Sequence, residues 1–84
     1  HYAHASYFAL IAENFKNAAA VEKTDPLLRA MELEIDNFRQ ALLWADANDI
    51  ELVLRLAVAL SEYWSHRQHL NEGRQWLERL SLRL

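Results

Sequence analysis

Apolar residues recur along the chain at spacings of three and four, the period of a helix face buried against neighbours. They fall into four segments. The first, Tyr2 to Val21, places Phe8, Ile11, Ala12, Phe15 and Ala19 on one face, and the run Ala18-Ala19-Ala20 favours helix by propensity. The polar stretch Glu22-Lys23-Thr24-Asp25 ends it. Asp25 before Pro26 then reads as a capping carboxylate with proline at the first helical position. The second segment, Pro26 to about Ala47, carries the stripe Leu28, Met31, Ile35, Phe38, Leu42 and Ala45. Leu27, Leu33, Leu43 and Trp44 lie outside that stripe, so this helix should touch more than one neighbour.

Asn48-Asp49 breaks the pattern, and Asn48 with Glu51 three residues on reads as a capping-box variant. The third segment, about Ile50 to His66, is apolar almost all round, with a narrow polar strip at Glu51, Arg55, Glu62 and His66. A helix of that kind belongs in the middle of a stack, covered on several sides. A turn at Arg67-Gln68-His69 leads to the fourth segment, Leu70 to Leu84, with Leu70, Gly73, Leu77, Leu80 and Leu84 on one stripe and Trp76 beside it. Short connections between such segments predict an all-α domain of four antiparallel helices, arranged as stacked helical hairpins.

Composition narrows the picture. One Gly and one Pro in 84 residues argue against an all-β fold, which needs several turn residues. There is no cysteine, so neither a disulfide nor a thiolate zinc site can staple the fold, and burial of its 52% hydrophobic residues must carry it. The net charge is −3 and the nine Lys and Arg are spread thinly, which leads to the expectation of no direct nucleic-acid contact. No apolar run approaches bilayer length and no signal peptide opens the chain, so no membrane association and a cytoplasmic location are expected. The chain begins at His1 without a Met, which suggests one domain, residues 1–84, taken from a longer multidomain protein.

The last two segments have the spacing of a tetratricopeptide repeat, a 34-residue helix–turn–helix unit. Counting from Leu54, the large position falls on Ala57, Leu on Leu60, small on Ser61, aromatic on Trp64, small on Gly73 and bulky on Leu77. Small Ser61 and Gly73 would let two helices approach while Leu60, Trp64 and Leu77 fill the space between them. Ala57 stands where Trp is usual, Gln68 where the turn Gly is common and Leu80 where Ala is usual, and the repeat would run past Leu84. The longer strings Glu34–Trp44, Leu54–Leu60 and Tyr63–Arg79 resemble the start of the tetratricopeptide-like region of bacterial STAND-type signalling ATPases. They are similar also to that of LuxR-type transcriptional regulators. The opening His4 to Phe8, with Leu10 and Ala12, resembles the helix leading into that region. The resemblance covers most of the chain, most loosely between Asn17 and Leu28. It implies that any ATPase core and DNA-binding domain lie outside this segment, and that the helices sense an inducer or partner and restrain the ATPase. With a single Gly, the chain has no phosphate-binding loop of its own.

Residues that could carry chemistry are few. His66 and His69, like His1 and His4, are three apart and could share a helix face toward a metal, but no third ligand is announced. Polar surface or turn histidines explain them better. Asp36, Asn37 and Arg39 interrupt an apolar helix; a bridge to a neighbouring helix, through Arg55 for example, or exposure to water accounts for them. The acidic run Glu32, Glu34, Asp36 alternates in direction on a helix and reads as a solvated face. Trp44, Trp64, Trp76, Tyr7 and Tyr63 could line a groove, though aromatics at helical spacing more often fill a core.

The expectation is therefore a non-catalytic protein-interaction segment of a bacterial signalling regulator, with no cofactor and no metal. Its surface would include Trp76, Leu80, Leu84 and Trp44, with an apolar face left open where further repeats stack. Its partners would be neighbouring domains or repeats. A small-molecule sensor with an aromatic-lined pocket is an alternative. So is a homodimer pairing through the Leu77, Leu80 and Leu84 edge.

Overall fold

The structure is a computed structural model, and it describes residues 2–21, 25–65 and 69–83. They form five helices: α1 Tyr2–Val21, α2 Asp25–Leu33, α3 Ile35–Asn48, α4 Ile50–Trp64 and α5 Leu70–Ser81. The fold is all-α, as the periodicity predicts, and α1 has the predicted bounds. The count of four helices is corrected to five, because the second segment divides at Glu34. There the backbone leaves helical geometry (φ −106°, ψ 8°). The Glu34 N–H reaches back only three residues, to the Met31 carbonyl at 3.0 Å, and the Glu34 carbonyl then accepts from Phe38 to start α3. The break lets α2 turn Met31 into the core while α3 follows its own line between α1 and α4. An apolar stripe that runs unbroken through Leu28, Met31, Ile35 and Phe38 cannot report this, because both halves keep helical spacing.

The core is built from α1, α3 and α4. Ala5, Phe8, Ala9, Ala12 and Phe15 of α1 meet Phe38, Leu42 and Ala45 of α3 and Leu52, Leu56 and Leu60 of α4. The Phe8 and Phe38 rings meet edge to face with centroids 5.5 Å apart, and Phe15 meets Tyr63 the same way at 6.3 Å. Both are favoured aromatic geometries. Helix α4 packs against α1, α3 and α5, which is the central position its near-continuous apolar sequence predicts.

Only Asp49 separates α3 from α4. It is extended (φ −154°, ψ 98°), and its carboxylate accepts from the Leu52 N–H at 3.2 Å, capping α4. The capping residue is thus Asp49 and not Asn48, whose amide instead donates to the Trp44 carbonyl at 2.8 Å. Helix α2 begins at Asp25 itself, one residue before the predicted start at Pro26; the Asp25 side chain, from which a cap is expected, and the turn residues Arg67 and Gln68 lie outside what the structure describes.

Helix α5 faces the core differently from its predicted stripe. Gly73 and Leu80 are buried and Trp76 is partly buried against the core, while Leu70 and Leu77 point outward. The inward face is therefore rotated toward Trp76. Gly73 packs directly on α4: a Cβ built there would lie 2.7 Å from the Trp64 Cβ. Helices α3 and α5 run in the same direction. Arg39 pairs with Glu72 and Asp46 with Arg79, so both pairs span 33 positions and repeat after seven residues, about two helical turns.

Candidate interaction surface

Leu80, Trp76 and Trp44, the three described residues of the four expected on an exposed surface, differ in exposure. Leu80 is only 3% exposed and belongs to the interior, because α5 turns that side of its stripe onto the core. Trp76 is half-buried against the core. Trp44 is half-buried on α3, with its ring 6.2 Å from that of Tyr2 at the start of α1. Leu84 lies outside the described residues, as do His1 and His66.

Apolar surface does remain open, and it gathers in grooves between helices. The groove along α4 and α5, about 490 Å³, has Trp64 and Gly73 as its floor, Leu70 and Leu77 on one wall and the small residues Ser61 and Ser81 at its margins. Leu77 is 51% exposed here and does not fill the α4–α5 contact as its repeat position suggested. The hydroxyls of Ser61, Ser65 and Ser81 donate to the backbone carbonyls of Val58, Glu62 and Glu78, and the charged side chains in the lining, Arg74 and Glu78, lie 3.8 Å from each other. A second groove, about 610 Å³, lies between α1 and α4, with Leu54, Val58 and Ala59 below and Glu13, Lys16, Glu51 and Arg55 around it. A third, about 480 Å³, opens between α1 and α2 beside Ile11, Phe15, Met31 and Leu33.

The charged side chains are organised between helices. Arg39 donates through Nε and a terminal nitrogen to the two Glu72 oxygens at 2.9 and 3.1 Å, and to Asp36 at 3.2 Å. The bidentate fork on Glu72 raises the Arg39 pKa above its ordinary value. Arg55 forks in the same way onto Glu13, at 3.1 and 2.9 Å, so it ties α4 to α1 and does not reach Asp36 as the sequence suggested. That bond holds the Glu13 carboxyl below the usual range. Asp46 accepts from Arg79 and Arg83, and its pKa is lowered first by the Arg79 hydrogen bond. Asn37 stays local, donating to Glu34 at 2.8 Å.

The aromatic–histidine cluster was not legible as a unit in the sequence. His69 stacks on Tyr63 with ring centroids 4.9 Å apart. Its Nε2 meets the Tyr63 hydroxyl at 3.0 Å and the Glu32 carboxylate at 2.9 Å. Burial first, and then the Glu32 hydrogen bond, push the Tyr63 phenol well above its ordinary value, so it stays protonated. Glu32 and His69 are 37 positions apart, and only packing brings them together. Among the described residues no group of three His, Cys, Asp or Glu side chains is placed to hold a metal ion. No helix of the described residues is long and apolar enough to cross a membrane.

The chain is similar to proteins named as candidate HTH-type transcriptional regulators. One is from Mycobacterium bovis and two are from strains of Mycobacterium tuberculosis. Each is 36% identical over 77 residues, which is 90% of this chain and 9% of the relative. The chain thus spans about 9% of the length of the curated relatives it matches. No family model matches it, and no solved structure does.

These relatives correct one expectation. The absence of direct nucleic-acid contact does not stand, since the proteins that this chain resembles carry the name of HTH-type transcriptional regulators. That expectation rested on the net charge and thin spread of basic residues over 84 positions. These 84 residues match only 9% of each relative's length, and the charge of one segment does not measure that of the rest.

Proposed function

We propose that this chain is a non-catalytic, tetratricopeptide-like interaction segment of a bacterial transcription regulator. Within a longer cytoplasmic protein it would serve as a scaffold against which neighbouring helices pack. The observation that carries this reading is the open α4–α5 groove, where Trp64 and Gly73 form a close-packed floor and Leu70 and Leu77 stand in water. Apolar side chains lining a trough of small residues suit a helix better than solvent. Three further observations support it: the 33-residue offset shared by the Arg39–Glu72 and Asp46–Arg79 pairs, close to the period of a helical-hairpin repeat; the central place of α4; and the names of the mycobacterial relatives. Nucleic acid then belongs among the partners of the protein that such a segment serves.

The test is a hybrid in which this chain replaces the matching 77 residues of the M. tuberculosis relative. If the open groove is a docking face, the segment unfolds together with its neighbour in one cooperative transition. Leu70→Asp with Leu77→Asp, both at exposed positions, then splits that transition in two. A segment that melts on its own, at the midpoint of the isolated chain and regardless of these substitutions, overturns the reading.

A second reading, a small-molecule sensor, draws on the sizes of the same grooves, which fall in the range of ligand pockets. All three are troughs between helices and not enclosed cavities, so the helix-docking reading takes precedence.

A further inference from the structure

Helix α5 is attached to the rest of the molecule by a different kind of contact from that joining α1, α3 and α4. Only Gly73 and Leu80 of its twelve residues are buried. Its ties to α3 are ionic, and they lie at both ends of the helix. Near the start, the Arg39 guanidinium forks onto Glu72. Near the end, the Asp46 carboxylate, 8% exposed, takes Arg79 at 2.7 Å and Arg83 at 2.6 Å. Arg83 also donates to the Asp46 carbonyl at 2.7 Å. Just before the helix, His69 reaches Glu32 of α2 at 2.9 Å. Between α1 and α4 the balance is reversed: a continuous apolar interface holds them, with the Glu13–Arg55 pair at its edge.

What α5 covers is equally specific. Gly73 rests on the Trp64 side chain, which is 2% exposed. The Trp64 indole N–H is buried without a hydrogen-bond partner among the described residues. The close approach and the ion pairs together hold α5 down.

We propose that α5 is a strap latched by charge, which docks and undocks as a unit and gates the Trp64 side of α4. Weakening its ion pairs releases α5 while the α1–α3–α4 core stays folded. Release is controlled by whatever competes for the clamped charges, and salt is the simplest such competitor.

Backbone hydrogen exchange on the chain as it stands tests this. Raising NaCl from about 0.05 M to about 1 M shortens the screening length to about 3 Å. It should speed exchange of the α5 amides by about tenfold, and those of α1 and α4 by less than about twofold, since helices open locally with their own free energies. Asp46→Asn should speed α5 exchange already at low salt and blunt its salt response. Glu13→Gln, which removes the α1–α4 ion pair, should leave α5 exchange unchanged. The proposal is overturned if α5 ignores salt, if α5 and α4 accelerate by the same factor, or if Asp46→Asn loosens all helices equally. The salt arm uses the unaltered chain, so it decides even if a variant does not fold.

Discussion

Gly73 and Trp64 are in contact so close that no side chain fits between them: a Cβ at position 73 would meet the Trp64 Cβ at 2.7 Å, its Cγ at 3.0 Å and its Cδ2 at 3.1 Å. The atoms it would meet are the root of a buried side chain, which cannot swing aside as a flexible tip would. Gly73→Ala should therefore destabilise the protein by about 1–3 kcal/mol through overpacking. That outweighs the gain of about 1 kcal/mol that Ala brings to a helix interior. Urea unfolding of the two proteins measures the difference. A more stable Gly73→Ala protein would show that the helices separate freely at this point.

Leu77 and Leu80 lie three apart on α5 and differ sharply in exposure, at 51% and 3%. Leu80→Ala should cost about 2–5 kcal/mol, as large-to-small changes in a core do. Leu77→Ala should stay within about 0.5 kcal/mol, as surface changes do. Thermal melts of both variants check the pair. Equal losses would contradict the orientation of α5.

Acid should loosen the charge pairs in a defined direction. The carboxyls of Asp46 and Glu13 are held below their ordinary values of 3.8 and 4.5 by their arginine partners. A group depressed in the folded state contributes stability that is complete above its unfolded value and lost as pH falls through the folded one. Stability from these pairs is thus full at neutral pH and declines as pH drops below about 4. Melting temperatures measured between pH 7 and pH 3 should show that decline, with Asp46→Asn showing a shallower one. An Asp46→Asn profile parallel to that of the parent would remove Asp46 from the account.

Tyr63 combines a fully buried ring with a hydroxyl that meets His69 at 3.0 Å. Tyr63→Phe removes the hydroxyl alone and should cost about 0.5–1.5 kcal/mol, the net contribution of one hydrogen bond. Tyr63→Ala should cost about 3–5 kcal/mol, since a large aromatic in the core is lost as well. Chemical denaturation of the two variants separates the terms. A Tyr63→Phe protein as weakened as Tyr63→Ala would place most of the stabilisation in the hydroxyl.

The repeat spacing offers Ser61 and Gly73 as the small residues of a close helix approach; the structure places Gly73 directly on Trp64 and leaves Ser61 exposed in the lining of the groove. That was legible because small and large residues at set offsets have one economical packing. The corrections share a cause. Glu34 ends α2 inside an unbroken stripe, and Trp76 displaces Leu77 from the inward face of α5. Spacing specifies a face to within about one residue in a turn, and neighbours choose which edge of that face is buried.

Local order along the chain determined that the protein is helical, where α1 begins and ends, and that α4 is central, because those properties depend on residues within one or two turns of each other. Tertiary structure alone decided that Arg39 takes Glu72, that Asp46 takes Arg79 and Arg83, and that Glu32 meets His69 beside Tyr63. These partners are 33 to 37 positions apart. The three- and four-residue spacing of the apolar positions does not name these partners, and a charge finds its partner only after burial of the apolar faces has brought the helices together.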